Sequence, residues 1–196
     1  MTSPALFCSF PAPPVNRKAI LRFAGERGDG EEILPLLEEC LREAEGTLRF
    51  GVSYRPLPLA VTENAVSAGP LSFASRDLAR FIGSKTEGVL FCASVGHGVD
   101  RLISRYGRLS PAKALLFQAL GAERVEALCD AFCEKLGMEY GIPTPPRFSP
   151  GYGDLPLSLQ REILPLAEAG KYLGVSLGEG FLMSPTKTVT AFVALR

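Results

Sequence analysis

Six consecutive residues carry the clearest ligand-binding chemistry of this chain. They follow the proline-rich segment 143–146 and read Arg147, Phe148, Ser149, Pro150, Gly151 and Tyr152. An arginine offers a planar fork of donors, a glycine lets backbone approach a ligand closely, and an aromatic ring can stack on a flat base. The segment therefore predicts a loop that clamps a small charged molecule with a flat ring, although such residues also occur in ordinary surface turns.

The order of these residues resembles the signature of the S-adenosylmethionine-binding activation domain of cobalamin-dependent methionine synthase, in which an Arg and three intervening residues precede Gly-Tyr. The matching positions are Arg147, Pro150, Gly151 and Tyr152. Residues 174–185 look like the closing segment of that family, where a Gly, a Leu and a Glu precede an apolar run that ends in a Pro. Residues 121–136 are similar to its long helix, and residues 89–106 to its glycine-containing passage from strand to helix.

The resemblance implies a site for S-adenosylmethionine. Arg147 would grip the methionyl carboxylate or order the loop, the backbone of residues 148–151 would lie against the nucleoside, and Tyr152 would pack against the ligand. Glu179 stands between two glycines of the closing segment, and it would either meet the ligand's amino group or ribose or be a solvated turn residue. The predicted ligand contacts are Arg147, Phe148, Ser149, Pro150, Gly151, Tyr152 and Glu179. No catalytic residue and no metal ligand is assigned.

The resemblance also implies a role and partners. The family's domain holds S-adenosylmethionine so that its methyl group reaches the cobalt of cobalamin once an electron arrives, and the cofactor carries the difficult chemistry. We therefore expect a standalone reactivation subunit that is not catalytic alone. Its partners would be a separate cobalamin-binding methionine synthase polypeptide and an electron donor such as flavodoxin or ferredoxin. Two alternatives stay open: a corrinoid-protein docking or regulatory subunit that does not use S-adenosylmethionine, and an independent enzyme on the same scaffold.

The chain departs from the family pattern at three places. Gly153 stands where a proline usually follows Gly-Tyr, and residues 154–158 lack the Cys and the Asp-His of the family's next segment. Phe192 and Val193 stand where the fused domains tend to have two aromatic residues. We expect these changes to weaken S-adenosylmethionine binding, or to make it depend on a partner that closes the site.

Other candidate sites favour structural roles. His97 is the only histidine, which excludes histidine-rich metal sites, and its place between two glycines is typical of a turn. Cys129 and Cys133 share a helix face with core-spaced apolar residues, which favours packing over a metal or redox pair. The glycines between residues 25 and 30 lack the Gly-Lys-Ser or Gly-Lys-Thr of a phosphate loop.

The composition excludes further classes of function. Lys plus Arg equals Asp plus Glu at 21 each, so that no global positive field would attract nucleic acid or an anionic membrane. No run of about 18 apolar residues is present to span a membrane. Five cysteines at irregular spacing are typical of reduced thiols, and we expect a cytoplasmic protein.

Apolar periodicity predicts the elements that position the signature. The predicted helices span residues 31–44, 76–82, 111–139 and 157–169, and the predicted strands span residues 48–54, 89–94 and 189–195. Ser75 is the predicted N-cap of the second helix, and Ser110 followed by Pro111 is the predicted start of the third. Pro56 and Pro58 indicate a strand end or an edge. Gly121 indicates a break or kink in the third helix, and Pro165 indicates an end or kink of the fourth. We predict an α+β fold, namely a single curved domain (residues 17–196) whose twisted, largely antiparallel sheet is flanked by helices, preceded by an extended arm (residues 1–16).

Overall fold

A computed structural model describes residues 4–28, 30–63 and 65–196 of the chain. Its helices are α1 (Arg17–Phe23), α2 (Leu34–Ala44), α3 (Arg76–Ile82), α4 (Gly98–Leu109), α5 (Pro111–Tyr140), α6 (Gln160–Leu166) and α7 (Ala169–Leu173). Its strands are β1 (Leu6–Ser9), β2 (Gly51–Val61), β3 (Ala65–Ala68), β4 (Leu71–Ala74), β5 (Glu87–Ser94), β6 (Arg147–Phe148), β7 (Ser176–Leu177), β8 (Met183–Ser184) and β9 (Thr188–Ala194). Within the described ranges, no helix is both long and apolar enough to cross a membrane.

The main sheet is antiparallel throughout the described residues. Its strands run in the order β4, β3, β2, β5, β9 and β6, and β1 pairs with β2. One face packs on α5 through Phe91 and Phe132, while the other contributes Leu90 and Phe192 to a second core cluster with α3. Burial on both faces explains why the segment 89–94 is continuously apolar. The predicted α+β class with a curved antiparallel sheet is confirmed.

Helix α5 forms the long wall behind the sheet. Its N-terminus is capped as predicted, since the Ser110 hydroxyl accepts the Lys113 backbone N–H and Pro111 takes the first helical position. Of the two alternatives predicted at Gly121, the break is wrong because the helix continues through it, and the kink stays a prediction. A Cβ atom at Gly121 would lie 2.8 Å from side-chain atoms of both Val99 and Lys187. The glycine therefore allows close packing.

Of the two alternatives predicted at Pro56 and Pro58, the strand end is wrong, and the edge is found locally on one side of β2. Strand β2 continues to Val61, and both prolines lie in register with β5. The Leu59 N–H donates to Thr86 on the β5 side, and backbone N atoms alternate in direction along a strand. The proline nitrogens therefore face away from β5, into the gap between β1 and β3, where no ladder hydrogen bond requires an N–H.

The remaining helix predictions differ mainly in their ends. Ser75 caps α3 through the Leu78 backbone N–H, as predicted. The helix predicted from residue 31 begins at Leu34, and the helix predicted at 157–169 is divided soon after Pro165 into α6 and α7. The final strand is confirmed as β9.

The N-terminal arm (residues 1–16) contributes to the sheet. Its residues 1–3 lie outside the described part of the chain, and β1 pairs with β2 from Leu6 to Ser9. The boundary at residue 16 stays a prediction. At that position the Asn16 side chain caps α1.

Candidate functional site

The signature residues form an edge strand and a tight turn. Strand β6 places Arg147 opposite Val193 and Phe148 opposite Phe192 on β9. In the turn that follows, the Gly151 N–H donates to Leu155 O at 2.9 Å. Gly151 has a φ of 93°, a left-handed conformation that favours glycine.

This turn borders a cavity of about 450 Å³, which we call the signature cavity. Residues from four further parts of the chain complete it. Its lining comprises Glu126, Arg147, Phe148, Ser149, Pro150, Tyr152, Gln160, Met183, Thr188, Val189 and Thr190. Five of the seven predicted contact residues therefore line one cavity, Gly151 lies in the same turn, and Glu179 is not part of the lining.

Arg147 is held by two carboxylates of α5. Its guanidinium donates to Asp130 and Glu126, whose side chains are 64% and 46% exposed, while that of Arg147 is 22% exposed. Burial lowers the pKa of Arg147, but hydrogen bonding to Asp130, together with the nearby Cys129 and Glu126, outweighs burial and raises the pKa above its usual value. Of the two roles left open by the sequence, this geometry favours ordering of the loop.

The rings of the signature have different surroundings. Phe148 packs on Phe81 with ring centroids 5.4 Å apart, and Pro150 is buried. Tyr152 is 68% exposed. Phe148 thus anchors the strand to the core, whereas the Tyr152 ring is free to pack against a bound molecule.

The segment after Gly-Tyr is fastened to the N-terminus of α3. The Asp154 carboxylate accepts from the Ser75 hydroxyl at 2.5 Å and from the Arg76 N–H at 2.8 Å, and the Asp154 N–H donates to Asp77 at 3.1 Å. The hydrogen bond from Ser75, followed by that from the Arg76 backbone, lowers the pKa of Asp154. These bonds fix the far end of the signature turn.

Gly153 is required by this attachment. Its φ is 54°, and a Cβ atom there would lie 2.2 Å from the Asp77 carboxylate. Proline, the usual residue of the resembled family, has its φ fixed near −65°. The departure at Gly153 therefore accompanies a turn that proline could not form.

Glu179 lies apart from the signature cavity. It begins a short 3₁₀ turn, Glu179–Phe181, and is exposed. The closing segment reaches the cavity through Met183 instead. A ligand contact of Glu179 stays a prediction.

The sequence reasoning missed the lining residues of distant elements. Glu126 comes from α5, Gln160 from α6, and Thr188 and Thr190 from β9. One signal was available for the threonines. They alternate with the core residues of the predicted final strand, and polar side chains at such positions face the opposite side of a sheet.

The other sequence candidates have structural surroundings. His97 precedes α4 with its Nδ1 4.0 Å from Asp100. Cys129 and Cys133 are buried among core residues, and burial raises the pKa of both thiols. All five cysteines are free, and the described residues contain no group of three His, Cys, Asp or Glu side chains that could hold a metal ion.

Comparison with known proteins finds similarity among solved structures. No protein-family model and no curated protein matches this sequence. Among solved structures, the chain is similar to the crystal structure of the MetH reactivation domain bound to AdoHcy, with a TM-score of 0.70 over 97% of this chain and 78% of that chain. The chain has the fold of the MetH reactivation domain. This confirms the predicted resemblance, and at 15% identity the match shows the fold alone.

Proposed function

We propose that this chain binds S-adenosylmethionine in the signature cavity and serves as a reactivation subunit for a separate, cobalamin-carrying methionine synthase polypeptide. One observation carries the proposal. The chain shares nearly its whole length with the fold of a domain bound to AdoHcy, and the six signature residues lie around a single cavity and its turn. AdoHcy is the product that S-adenosylmethionine leaves after it has donated its methyl group.

The size and charge of the cavity support this ligand. A volume of about 450 Å³ lies within the range of roughly 300–1,000 Å³ that is usual for small-molecule sites. Glu126 and Asp130 oppose a single Arg147, which leaves one negative charge in excess beside the cavity. S-adenosylmethionine carries an ammonium, a sulfonium and a carboxylate, so its net positive charge complements this wall.

The signature residues would divide the work of positioning. Arg147, fixed to α5, holds the start of the turn, and Asp154 holds its end on α3. The backbone of residues 149–151 would then lie against the nucleoside, and Tyr152 would cover one face of the ligand. A preformed turn favours binding because little conformational entropy is lost when the ligand enters.

Bound S-adenosylmethionine would supply the methyl group for the reduced cobalt of the partner's cobalamin, with the electron provided by a flavodoxin- or ferredoxin-type donor in the cytoplasm. The chain's own contribution is placement of the ligand. Tyr152, at the rim, is 68% exposed, so a ligand beneath it would remain accessible to a docked partner. No residue of this chain needs to act as an acid, base or nucleophile.

Calorimetric titration with S-adenosylmethionine tests the ligand assignment. We expect saturable binding by the wild-type chain and at least about a tenfold loss in Arg147→Ala, equivalent to about 1.4 kcal/mol. The matched control is Arg105→Ala on α4, which removes an arginine–carboxylate pair with Glu43 of α2 outside the cavity. Equal binding by all three proteins would contradict the assignment of the site.

Reactivation of an oxidised partner tests the role. The chain would be mixed with a methionine synthase polypeptide that carries cobalamin but lacks its own activation domain, an electron donor and S-adenosylmethionine. We expect recovery of methylcobalamin, followed by its absorbance spectrum, only when the chain is present. No recovery with a chain that binds S-adenosylmethionine would contradict the subunit role.

A docking subunit that does not use S-adenosylmethionine is the second candidate. It is favoured by two observations: both carboxylate partners of Arg147 are already in place, and Phe192 and Val193 are buried at 2% and 1% exposure rather than open to a ligand. In that case Arg147→Ala would leave the partner-dependent activity intact.

A further inference from the structure

Two buried polar atoms beside the signature cavity have no hydrogen-bond partner. Within the described ranges, Gln160 Oε1 and Thr190 Oγ1 are among four buried side-chain atoms without one. Gln160 is 5% exposed and Thr190 is 2% exposed, and both residues line the cavity. The other two atoms belong to Ser53 and Arg55, which are not part of its lining. Buried polar groups are almost always hydrogen-bonded, so two unpaired groups at one cavity point to a molecule that pairs with them.

The hydroxyl of a neighbouring threonine, in contrast, has hydrogen-bond partners. Thr188 lines the same cavity two residues earlier on β9. Its hydroxyl lies 3.0 Å from Ser94 Oγ and donates to Pro185 O at 2.8 Å. The lack of a hydrogen-bond partner is therefore specific to Thr190 and is not shared by Thr188 of the same strand.

We propose that Gln160 and Thr190 recognise the amino-bearing edge of the adenine ring of the ligand. The proposal rests on the proposed function, because it names contacts of that same site. A carboxamide presents one acceptor and one donor side by side, which match the 6-amino group and the adjacent ring nitrogen of adenine. The torsion of the Gln160 carboxamide is broad and roughly two-fold, so that rotation can turn its oxygen or its amino group toward the cavity. The Thr190 hydroxyl can donate or accept beside it.

The discriminating ligand pair is S-adenosylhomocysteine and its 6-deamino analogue, in which a hydrogen atom replaces the amino group of the purine. The deamino analogue keeps the ring nitrogens but lacks the 6-amino donor, so that the Gln160 oxygen would have no partner in either orientation of the carboxamide. We expect the wild-type chain to prefer the adenosyl compound by roughly ten- to a hundredfold in calorimetric titration, the range expected for one bidentate amide–base pair. In Gln160→Leu, affinity for the adenosyl compound should fall until the preference is lost.

Thr190→Val gives a second test, in which the thermal stability of the free chain and its affinity for the ligand should change in opposite directions. Valine has nearly the same shape and removes a hydroxyl that is unpaired in the free protein, so the melting temperature of the free chain should stay the same or rise. Affinity for the adenosyl compound should nevertheless fall several-fold. The matched control Thr188→Val loses two hydrogen bonds and should lower the melting temperature instead.

The outcomes separate this inference from the proposed function. A wild-type chain that binds both compounds equally, or a Gln160→Leu variant that keeps the full preference, would overturn the adenine contacts while leaving the cavity as the ligand site. A wild-type chain that binds neither compound at millimolar concentration would overturn both. If Gln160→Leu does not fold, as judged by its thermal melt, Thr190→Val becomes the deciding variant. Its unchanged affinity for the adenosyl compound would refute the inference.

Discussion

Two arginines are held by carboxylates of the same helix, and they differ in burial. Arg124 and its neighbour Glu123 are 3% and 5% exposed in their side chains, and the guanidinium also donates to the carbonyls of Pro13 and Pro14 at 2.6 and 2.7 Å. The side chain of Arg147 is 22% exposed, and those of its carboxylate partners Glu126 and Asp130 are 46% and 64% exposed. The same chemistry therefore fastens the N-terminal arm in one place and leaves charge available to a ligand in the other.

The buried pair is embedded in the backbone of the arm. Glu123 accepts the Asn16 N–H at 3.0 Å while it binds Arg124. Removing Arg124 would leave the buried Glu123 charge and two backbone carbonyls without this partner, and removing Glu123 would leave the buried Arg124 charge and one backbone N–H without theirs. The Arg147 cluster has no such dependence, because water can reach Glu126 and Asp130 when the arginine is absent.

The largest expected effect is that of Arg124→Ala. We expect the free energy of unfolding to fall by about 3–5 kcal/mol, because one partner of a buried ion pair is lost. Urea denaturation followed by circular dichroism measures this. A loss below about 1 kcal/mol, the range of exposed pairs, would contradict the assignment of a larger structural role to Arg124 than to Arg147. The double variant Glu123→Leu with Arg124→Met should recover much of the loss, since it leaves no buried charge.

Gly153→Ala ranks second and tests whether the far end of the signature turn is rigid. The substitution forces a left-handed φ on alanine and brings its Cβ against Asp77, so we expect a loss of about 1–3 kcal/mol. Gly46→Ala is the control, because Gly46 also has a positive φ but has no neighbouring atom within 4 Å of an added Cβ. If the two variants lose the same stability, the contact with Asp77 contributes nothing.

Arg147→Ala should change stability less than either. We expect a loss of about 1 kcal/mol or less, as for exposed ion pairs, accompanied by the large loss of S-adenosylmethionine affinity described above. Thermal melts and titrations on one preparation measure both. A variant that loses several kcal/mol of stability would place Arg147 in the same structural class as Arg124.

The smallest expected effect is a change in the pH dependence of stability above about pH 9, where an unperturbed thiol ionises. Burial raises the pKa of Cys129 and Cys133, and the charge of Arg147 lowers both in part. The folded state therefore retains protons that the unfolded state releases, so that stability falls as pH rises above about 9. In Arg147→Ala the pKa of Cys133 should rise further and the decline should steepen, whereas Cys129, whose pKa is already raised well above its usual value, should contribute little change. Urea midpoints between pH 8 and 10.5 would show equal slopes if the charge of Arg147 did not reach the thiols.

Local signals predicted the elements that depend on neighbouring residues. Ser75 and the Ser110-Pro111 pair mark helix starts correctly because a cap is made within one turn of chain. Gly121 does not break its helix and Pro56 does not end its strand, because distant partners decide both cases: Lys187 packs on the glycine, and the proline faces a gap between two other strands.

The candidate site likewise combines residues that are neighbours in sequence with residues from distant elements. Residues 147–152 are contiguous and could be recognised together, whereas Glu126, Gln160 and Thr190 meet them only after α5, α6 and β9 have packed. Glu179 shows the limit of matching by position. A segment of this sequence can resemble that of a family while its acidic residue lies outside the cavity.

The most direct measurement is a crystal structure of the chain grown with S-adenosylhomocysteine. The account predicts density for the nucleoside in the signature cavity, against the backbone of residues 149–151 and beneath Tyr152, with Arg147 still bound to Asp130 and Glu126. Density at another surface, or an empty cavity in crystals soaked at millimolar concentration, would contradict it.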